Sequence, residues 1–538
     1  MNEAPVKIQF ALVSHTNNGK TTLARTMTGV DVGEVRDAAH VTTFAEAHPL
    51  LTSPAGDSLL LWDTPGFGDS VRLLKRLAMA GNPIGWFLRE VFDRYRDRPF
   101  WLSQQALRAA KDEADIVLYL VNSAEPPGDA GYLPAEMNIL EWLGKPVVVL
   151  LNGMGPPRPG AKESAEGQQW KQHLARFQVV REVLALDAFA RCWVHEHVFY
   201  EAVAPLVEPG KQAGYGRLRA AWEAGNRQRY ASALRMTAEQ VASAVRDSQA
   251  VAEEGRGMVR SALKAVGLGK DEQRRQEAAM AALVERLNGE INKTTMRMLV
   301  LHKVDPGEAE AINARVRENF AVRAPIDKAQ AGLLGAVVSG AATGLSADLM
   351  AGGLTLGGGA LLGAIVGGLT AAGAAWGFNQ RADRNEAAVQ FADAFLQTLL
   401  VGAVLRYLAV AHFGRGRGNY VASEAPAFWQ AEVEDALKAH GGDLPVLWRS
   451  VRAAPNLEAA LESVNAVVRR VTDATLARLY PGVELGAAPV APAVDAAVGA
   501  GTGAGSGAGI GAGTGIGSGT GPSAGTGAGA VSGTGTAR

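Results

Sequence analysis

Short apolar runs and amphipathic stretches alternate along the first part of the chain. Residues 6–13 are apolar and β-branched, end in polar turn residues and give way at Lys20 to the helical pattern KTTLARTMTG, so the chain opens as strand, loop and helix. Residues 42–52 and 58–62 predict two more strands, joined by a Ser-Pro-Ala-Gly-Asp turn. Two fully apolar strands, 114–122 and 146–151, flank a helical stretch, the pattern of strands buried on both faces of a parallel sheet. Together these elements predict an α/β domain over 1–205, a mostly parallel sheet with flanking helices. Residues 190–195 are a candidate last strand. A long insert at 68–113, rich in arginine and in aromatics (Trp86, Phe87, Phe92, Tyr95, Phe100, Trp101), reads as extra helices.

The pattern then changes. No proline occurs between Lys211 and Asp305, and strong helix formers dominate, so 206–330 is expected to be helical. Amphipathic helical texture returns over 379–482, giving an all-α C-terminal region. From 483 to 538 the chain decays into Gly, Ala, Ser and Thr repeats, which lack side chains able to offset their ordering entropy and are expected to be disordered.

Between the helical stretches, residues 331–378 form a glycine- and alanine-rich block whose sole charge is Asp348. Glycines recur at four-residue spacing (Gly340 and Gly344, Gly353 and Gly357, Gly359, Gly363 and Gly367, Gly373 and Gly377), laying small residues along one helix face. Arms at 331–350 and 358–378 are each long enough to cross a hydrocarbon core of about 30 Å. The expectation is a helical hairpin in membrane contact, with Lys328, Arg381 and Arg384 on the cytosolic side. A tightly packed soluble hairpin is the alternative, favoured by Asp348, whose burial at a bilayer centre costs roughly 2.5–3.5 kcal/mol.

Charge narrows the partners. Lys and Arg number 53 against 54 Asp and Glu, a net of -1, so no global field draws the chain to nucleic acid or acidic lipid. FGRGRGNY, from Phe413, is a single short arginine-glycine element and reads as a loop, so no nucleic-acid partner is expected. Cys192 is the only cysteine, which excludes an internal disulfide and fits a reducing cytosol. The N-terminal apolar run lacks a basic n-region and is too short for an export signal. A cytoplasmic protein, in contact with the inner membrane through 331–378, is expected. His195 and His197 on a strand face are a weak metal pair without a third ligand.

The chemistry lies in the loop after the first strand, Ser14-His15-Thr16-Asn17-Asn18-Gly19-Lys20-Thr21, which fits the phosphate-binding pattern with serine in place of the first glycine. Its backbone amides, from Ser14 through Asn17, Asn18 and Gly19 to Thr21 and Thr22 at the head of the helix, would cradle phosphates, because unpaired N–H groups and the helix dipole both favour an anion. Lys20 supplies a point charge at the β and γ phosphates, and the Thr21 hydroxyl is a ligand for Mg2+. Asp63-Thr64-Pro65-Gly66 ends an apolar strand, where the carboxylate of Asp63 can reach the Mg2+ shell and the Gly66 amide the γ phosphate. Thr42 and Thr43 sit where a switch threonine would close on Mg2+, and Thr43 is taken as that ligand. Lys20, Asp63 and Gly66 are the candidate catalytic residues of this P-loop NTPase pattern.

Through SHTNNGKTT, the paired threonines and WDTPG, residues 5–205 resemble the Era and TrmE branch of small bacterial GTPases. The resemblance implies GTP and GDP as ligands, Mg2+ as cofactor and hydrolysis of GTP. It also implies K+ beside the phosphates, with Asn17 as a ligand. Phe67 stands where Ras-like enzymes carry a water-orienting glutamine. The base-specifying loop, Asn-Lys-x-Asp in the family, here reads Asn152-Gly153-Met154-Gly155, so only Asn152 supports guanine recognition. These departures leave a second reading, a nucleotide-gated scaffold with negligible hydrolysis and relaxed base choice. The helical continuation differs from the strands and Gly-x-x-Gly loop of Era's RNA-binding module and is similar to that of related GTPases with a large C-terminal domain of unknown function. A protein effector of unstated identity and a homodimer complete the expected partners.

Overall fold

The computed structural model describes residues 4–29, 46–64, 66–67, 70–72, 74, 107, 110–154, 165–186, 192–250, 269–304, 376–380, 387–412 and 428–480. The first strand, β1 (Lys7–Ser14), is central. It pairs in parallel with β3 (Ser58–Asp63) on one side and β4 (Ile116–Asn122) on the other. β5 (Val147–Asn152) and β6 (Val180–Ala185) extend the sheet in parallel, and β2 (Glu46–Thr52) closes the opposite edge antiparallel to β3. The order is β2-β3-β1-β4-β5-β6. The chain steps from β1 to β3 and then back across β1 to β4, so the direction of winding reverses beside the C-terminal end of β1, where open α/β sheets bind ligands.

Strand periodicity sorts the layers. Ile8, Phe10 and Leu12 face a core shared with α1 (Lys20–Thr28), α4 (Trp193–Val203) and the start of α5 (Gln212–Arg246). Ala11 and Val13 face the other core, built with α2 (Leu133–Leu143) and α3 (Ala165–Leu174). Each side of the sheet is thereby covered.

Helix α5 leaves this domain and enters the next. Its 35 residues contain no proline and span about 52 Å at 1.5 Å per residue. Its first turns are clamped to the sheet: Arg217 donates from Nε and Nη2 to the buried carboxylate of Asp57, each at 2.8 Å. Asp57 also accepts from the Ser53 hydroxyl at 2.6 Å and the Val6 amide at 3.0 Å. The Arg217 guanidinium, with these further donors, holds the carboxyl well below the usual range against the opposing effect of burial. Lys211 adds an ion pair to Asp115 at 2.7 Å.

The later part of α5 packs in a second core with α6 (Gly269–Leu301), α7 (Asp393–Ala411), α8 (Phe428–His440), α9 (Leu444–Ala453) and α10 (Leu457–Leu479). α7 is apolar on every side, and 72% of its apolar window is buried, as befits the central helix of a bundle. It is the one helix among the described residues long and apolar enough to cross a membrane. α9 and α10 start at side-chain caps: Asp443 accepts from the Val446 amide at 3.0 Å, and Asn456 from Ala459 at 2.8 Å.

Several expectations are corrected. The helical region also carries a three-stranded antiparallel sheet, β7 (Ser248–Ala250), β9 (Ala387–Phe391) and β8 (Trp376–Gln380), in the order β7-β9-β8. The second arm expected to remain helical to 378 therefore ends in strand β8, while 305–375, including Asp348 and Lys328, lies outside the described residues. The final strand of the large sheet is β6, and the strand expected over 190–195 is corrected where it is described: Trp193 onward forms α4. β6 carries little strand signal in the sequence, because Arg181 and Glu182 interrupt the short apolar run of VREVLA. His195 and His197 accordingly share a helix, and no metal-binding cluster of His, Cys, Asp and Glu occurs among the described residues. Thr42, Thr43, most of the 68–113 insert, 413–427 and the 483–538 tail also lie outside the described residues.

Candidate functional site

The loop between β1 and α1 is held from three sides. Asn17 (φ 68°) and Gly19 (φ 86°) take left-handed backbone, which asparagine tolerates and glycine adopts freely. No positive φ occurs at Ser14, so serine replaces the first glycine without strain. Its buried hydroxyl instead accepts a hydrogen bond from Lys20 Nζ at 2.9 Å. Asn18 donates from Nδ2 to the Leu120 carbonyl at the end of β4, 3.2 Å away, and Asn152 at the end of β5 donates from Nδ2 to the Asn18 carbonyl at 3.2 Å. A Cβ on Gly19 would lie 2.9 Å from Asn152 Nδ2, so the glycine also permits this brace.

Thr21 and Asp63 meet at the head of α1. Thr21 Oγ1 donates to Asp63 Oδ2 at 2.8 Å, and Asp63 is 2% exposed. These are hard oxygen donors, and so few of them suit Mg2+, which keeps most of its waters. They would hold that ion, which supplies charge neutralisation at the phosphates. Thr64 anchors the following turn by donating to the Leu12 carbonyl at 2.7 Å, and the Phe67 amide donates to the Ser14 carbonyl at 2.9 Å. Gly66 is thereby brought against the loop. A Cβ there would stand 2.8 Å from Lys20 Nζ and 3.1 Å from Thr16 Cα, so a larger residue displaces the Lys20 ammonium and crowds Thr16.

Lys20 is 7% exposed. Burial pushes its pKa down to about 8, with the charges of Asp63 and Glu136 working against that. Thr22 follows it, also buried, on α1. The fold thus gathers Ser14, Asn17, Asn18, Gly19, Lys20, Thr21, Thr22, Asp63, Gly66 and Asn152 around one loop. Phe67 is fully buried in the core between β1 and α2 and offers no polar group.

A buried polar group behind the loop escaped the sequence reading. His15 Nδ1 lies 2.8 Å from Glu136 Oε1 and its ring stacks on Tyr132, centroids 4.1 Å apart. Tyr119 donates to Glu136 Oε2 at 2.5 Å. Glu136 is wholly buried on α2, and burial raises its carboxyl pKa against the pull of His15, Tyr119 and Lys20. The signal in sequence was faint: one acid at an apolar position of LPAEMNILEWL and one tyrosine in the otherwise apolar strand IVLYLV.

Two family models match the chain. Residues 9–153 match the model for the 50S ribosome-binding GTPase, and residues 171–478 match Domain of unknown function (DUF3482). Among solved structures, an Aquifex aeolicus Era variant bound to GDP·AlF4- is 16% identical with a TM-score of 0.28, over 53% of this chain and 89% of that one. Era in complex with MgGDPNP and a fragment of 16S ribosomal RNA is 16% identical with a TM-score of 0.28, over 55% of this chain and 90% of that one. Comparison with curated proteins gives no match. Cradle and sheet order are those of a P-loop domain, residues 9–153 of which match the GTPase model, and a helical domain follows it. The chain belongs to the family of Domain of unknown function (DUF3482), whose model spans more than half of it.

Proposed function

We propose that this protein binds GTP with Mg2+, hydrolyses it, and passes its nucleotide state to the helical domain. One observation carries the reading: Thr21 and Asp63 stand in hydrogen-bond contact at the head of α1 while Lys20 and Gly66 converge on the same loop. That arrangement is suited to a Mg2+-bound triphosphate. Hydrolysis needs charge at the transition state that Phe67 cannot provide, and Asn17 is the group we assign to a stimulating K+. The buried, apolar Phe67 also supports the second reading, a scaffold gated by nucleotide that turns over negligibly. Coupling to an effector, homodimer formation, and cytoplasmic location with inner-membrane contact through 331–378 belong to the same proposal.

Titrating the full chain with GTP, ATP and XTP, with and without K+, separates these readings. The GTPase reading expects GTP to bind best and turnover to rise in K+ over Na+. Equal binding of all three, without turnover, supports the scaffold. Lys20→Ala abolishes binding in either case, and unchanged affinity in that variant would overturn the P-loop assignment.

A further inference from the structure

A second cavity, away from the P-loop, lies where the two domains meet. Its volume is about 240 Å³. The nucleotide-binding domain contributes the last turn of α1, from Thr26 to Gly29, and the helical domain contributes α5, the end of α7 and the residues that follow α6. Two polar groups on its wall stand out. Arg229, on α5, donates from Nη1 to Asn226 Oδ1 at 2.8 Å and makes no ion pair among the described residues, leaving the rest of its donor fork open. His302 presents a buried Nε2 with no hydrogen-bond partner among the described residues.

A half-buried guanidinium with donors to spare beside an imidazole nitrogen that has no protein partner among the described residues places two neighbouring hydrogen-bonding groups on one wall. Burial, and secondarily Arg229, hold the His302 pKa down to about 4, so its ring is neutral near pH 7 and offers a hydrogen bond, not a second charge. The remaining wall sets the charge of what fits. Glu196 and Lys303 also line the cavity, so with Arg229 its charged side chains leave one net positive charge, and the C-terminal ends of α1 and α7, both negative ends of helix dipoles, border it too. A single carboxylate on Arg229, with hydroxyl or amino donors towards Glu196 and the helix ends, matches that balance, which a doubly charged phosphate exceeds.

We propose that this interdomain cavity binds a small carboxylate that also carries a hydroxyl or amino group, anchored in the Arg229 fork with His302 as second partner. The site is separate from the nucleotide cradle yet touches the far end of the helix that begins at Lys20.

The test is calorimetric titration of the full chain, saturated with Mg2+ and GDP, against α-amino acids and α-hydroxy acids of up to six carbons, with inorganic phosphate as the contrasting probe. The expected result is one site per chain for at least one carboxylate, weakened at least tenfold by Arg229→Gln and weakened also by His302→Ala. Arg229→Lys, which keeps the charge but loses the fork, should fall between and serves if the glutamine variant does not fold. GDP affinity is expected to remain at the parental value in all three. Phosphate binding without carboxylate binding, no carboxylate binding at all, or carboxylate binding indifferent to Arg229 each overturns the proposal.

Discussion

At Lys20 the same burial that isolates the phosphate cradle from water weakens the ammonium it depends on. With the free-protein pKa lowered to about 8, chiefly by burial, the side chain is charged below that pH and progressively neutral above it. Binding phosphate demands the charged form, so affinity for nucleotide should be level below pH 8 and fall by up to about tenfold per pH unit above it. Lys20→Arg, which stays charged, should remove the pH dependence even if it binds less well overall; titrations at pH 7, 8 and 9 decide. Gly66 makes a steric prediction. Adding a methyl group 2.8 Å from Lys20 Nζ and 3.1 Å from Thr16 Cα must displace the ammonium from its place in the cradle, so Gly66→Ala should cost about tenfold in GTP affinity with an unchanged melting temperature. These residues were legible in the sequence because a phosphate cradle needs particular side chains at fixed spacing. His15 and Glu136 were not, since a half-buried histidine and a buried acid 121 residues apart leave no local pattern.

Among the elements, the early strands and helices announced themselves through apolar runs bounded by turn residues. β6 and the three-stranded sheet did not, because VREVLA is a short edge strand broken by two adjacent charges and β7 is three residues paired with a strand far along the chain. α7 was expected to be amphipathic and is apolar all round, since bundle helices cover it on every side. The start of α5 offers a sharper test. Its Arg217 pairs with a carboxylate that has almost no access to water, so Asp57→Asn removes one partner of a buried ion pair and should destabilise the protein by about 3 kcal/mol in urea unfolding. Because the folded pKa of Asp57 lies below its unfolded value, this contribution is present above about pH 4 and is lost only as pH falls through the lower, folded value. The Asn456 cap predicts a smaller effect: Asn456→Ala should cost about 1 kcal/mol.

Across the whole molecule, the helical core contains two histidines that folding keeps neutral. Burial lowers His302 and His412 each to about 4, and His412 spans the Leu408 carbonyl and the Tyr480 hydroxyl, both at 2.8 Å. The unfolded chain takes up these two protons near pH 6.5 while the folded one resists them, so stability should be flat above that pH and decline towards pH 4. The slope approaches about 2.7 kcal/mol per pH unit, and His412→Phe should roughly halve it in urea unfolding followed across that range. Tyr480 has a second neighbour: Cys192 Sγ donates to its hydroxyl at 3.2 Å, across 288 residues of chain. That contact carries a consequence in time. The large sheet is complete once β6 has been made, but the apolar face of α5 is covered by Leu461, Val464 and Val468 of α10, the last helix among the described residues. At about 5–20 residues per second, the interval between the end of α5 and the arrival of Tyr480 is on the order of 10–50 s. A growing chain therefore has its nucleotide-binding domain in place while the face that will receive it into the bundle still waits for its cover, and it is in that interval that a chaperone holding apolar helices has something to hold.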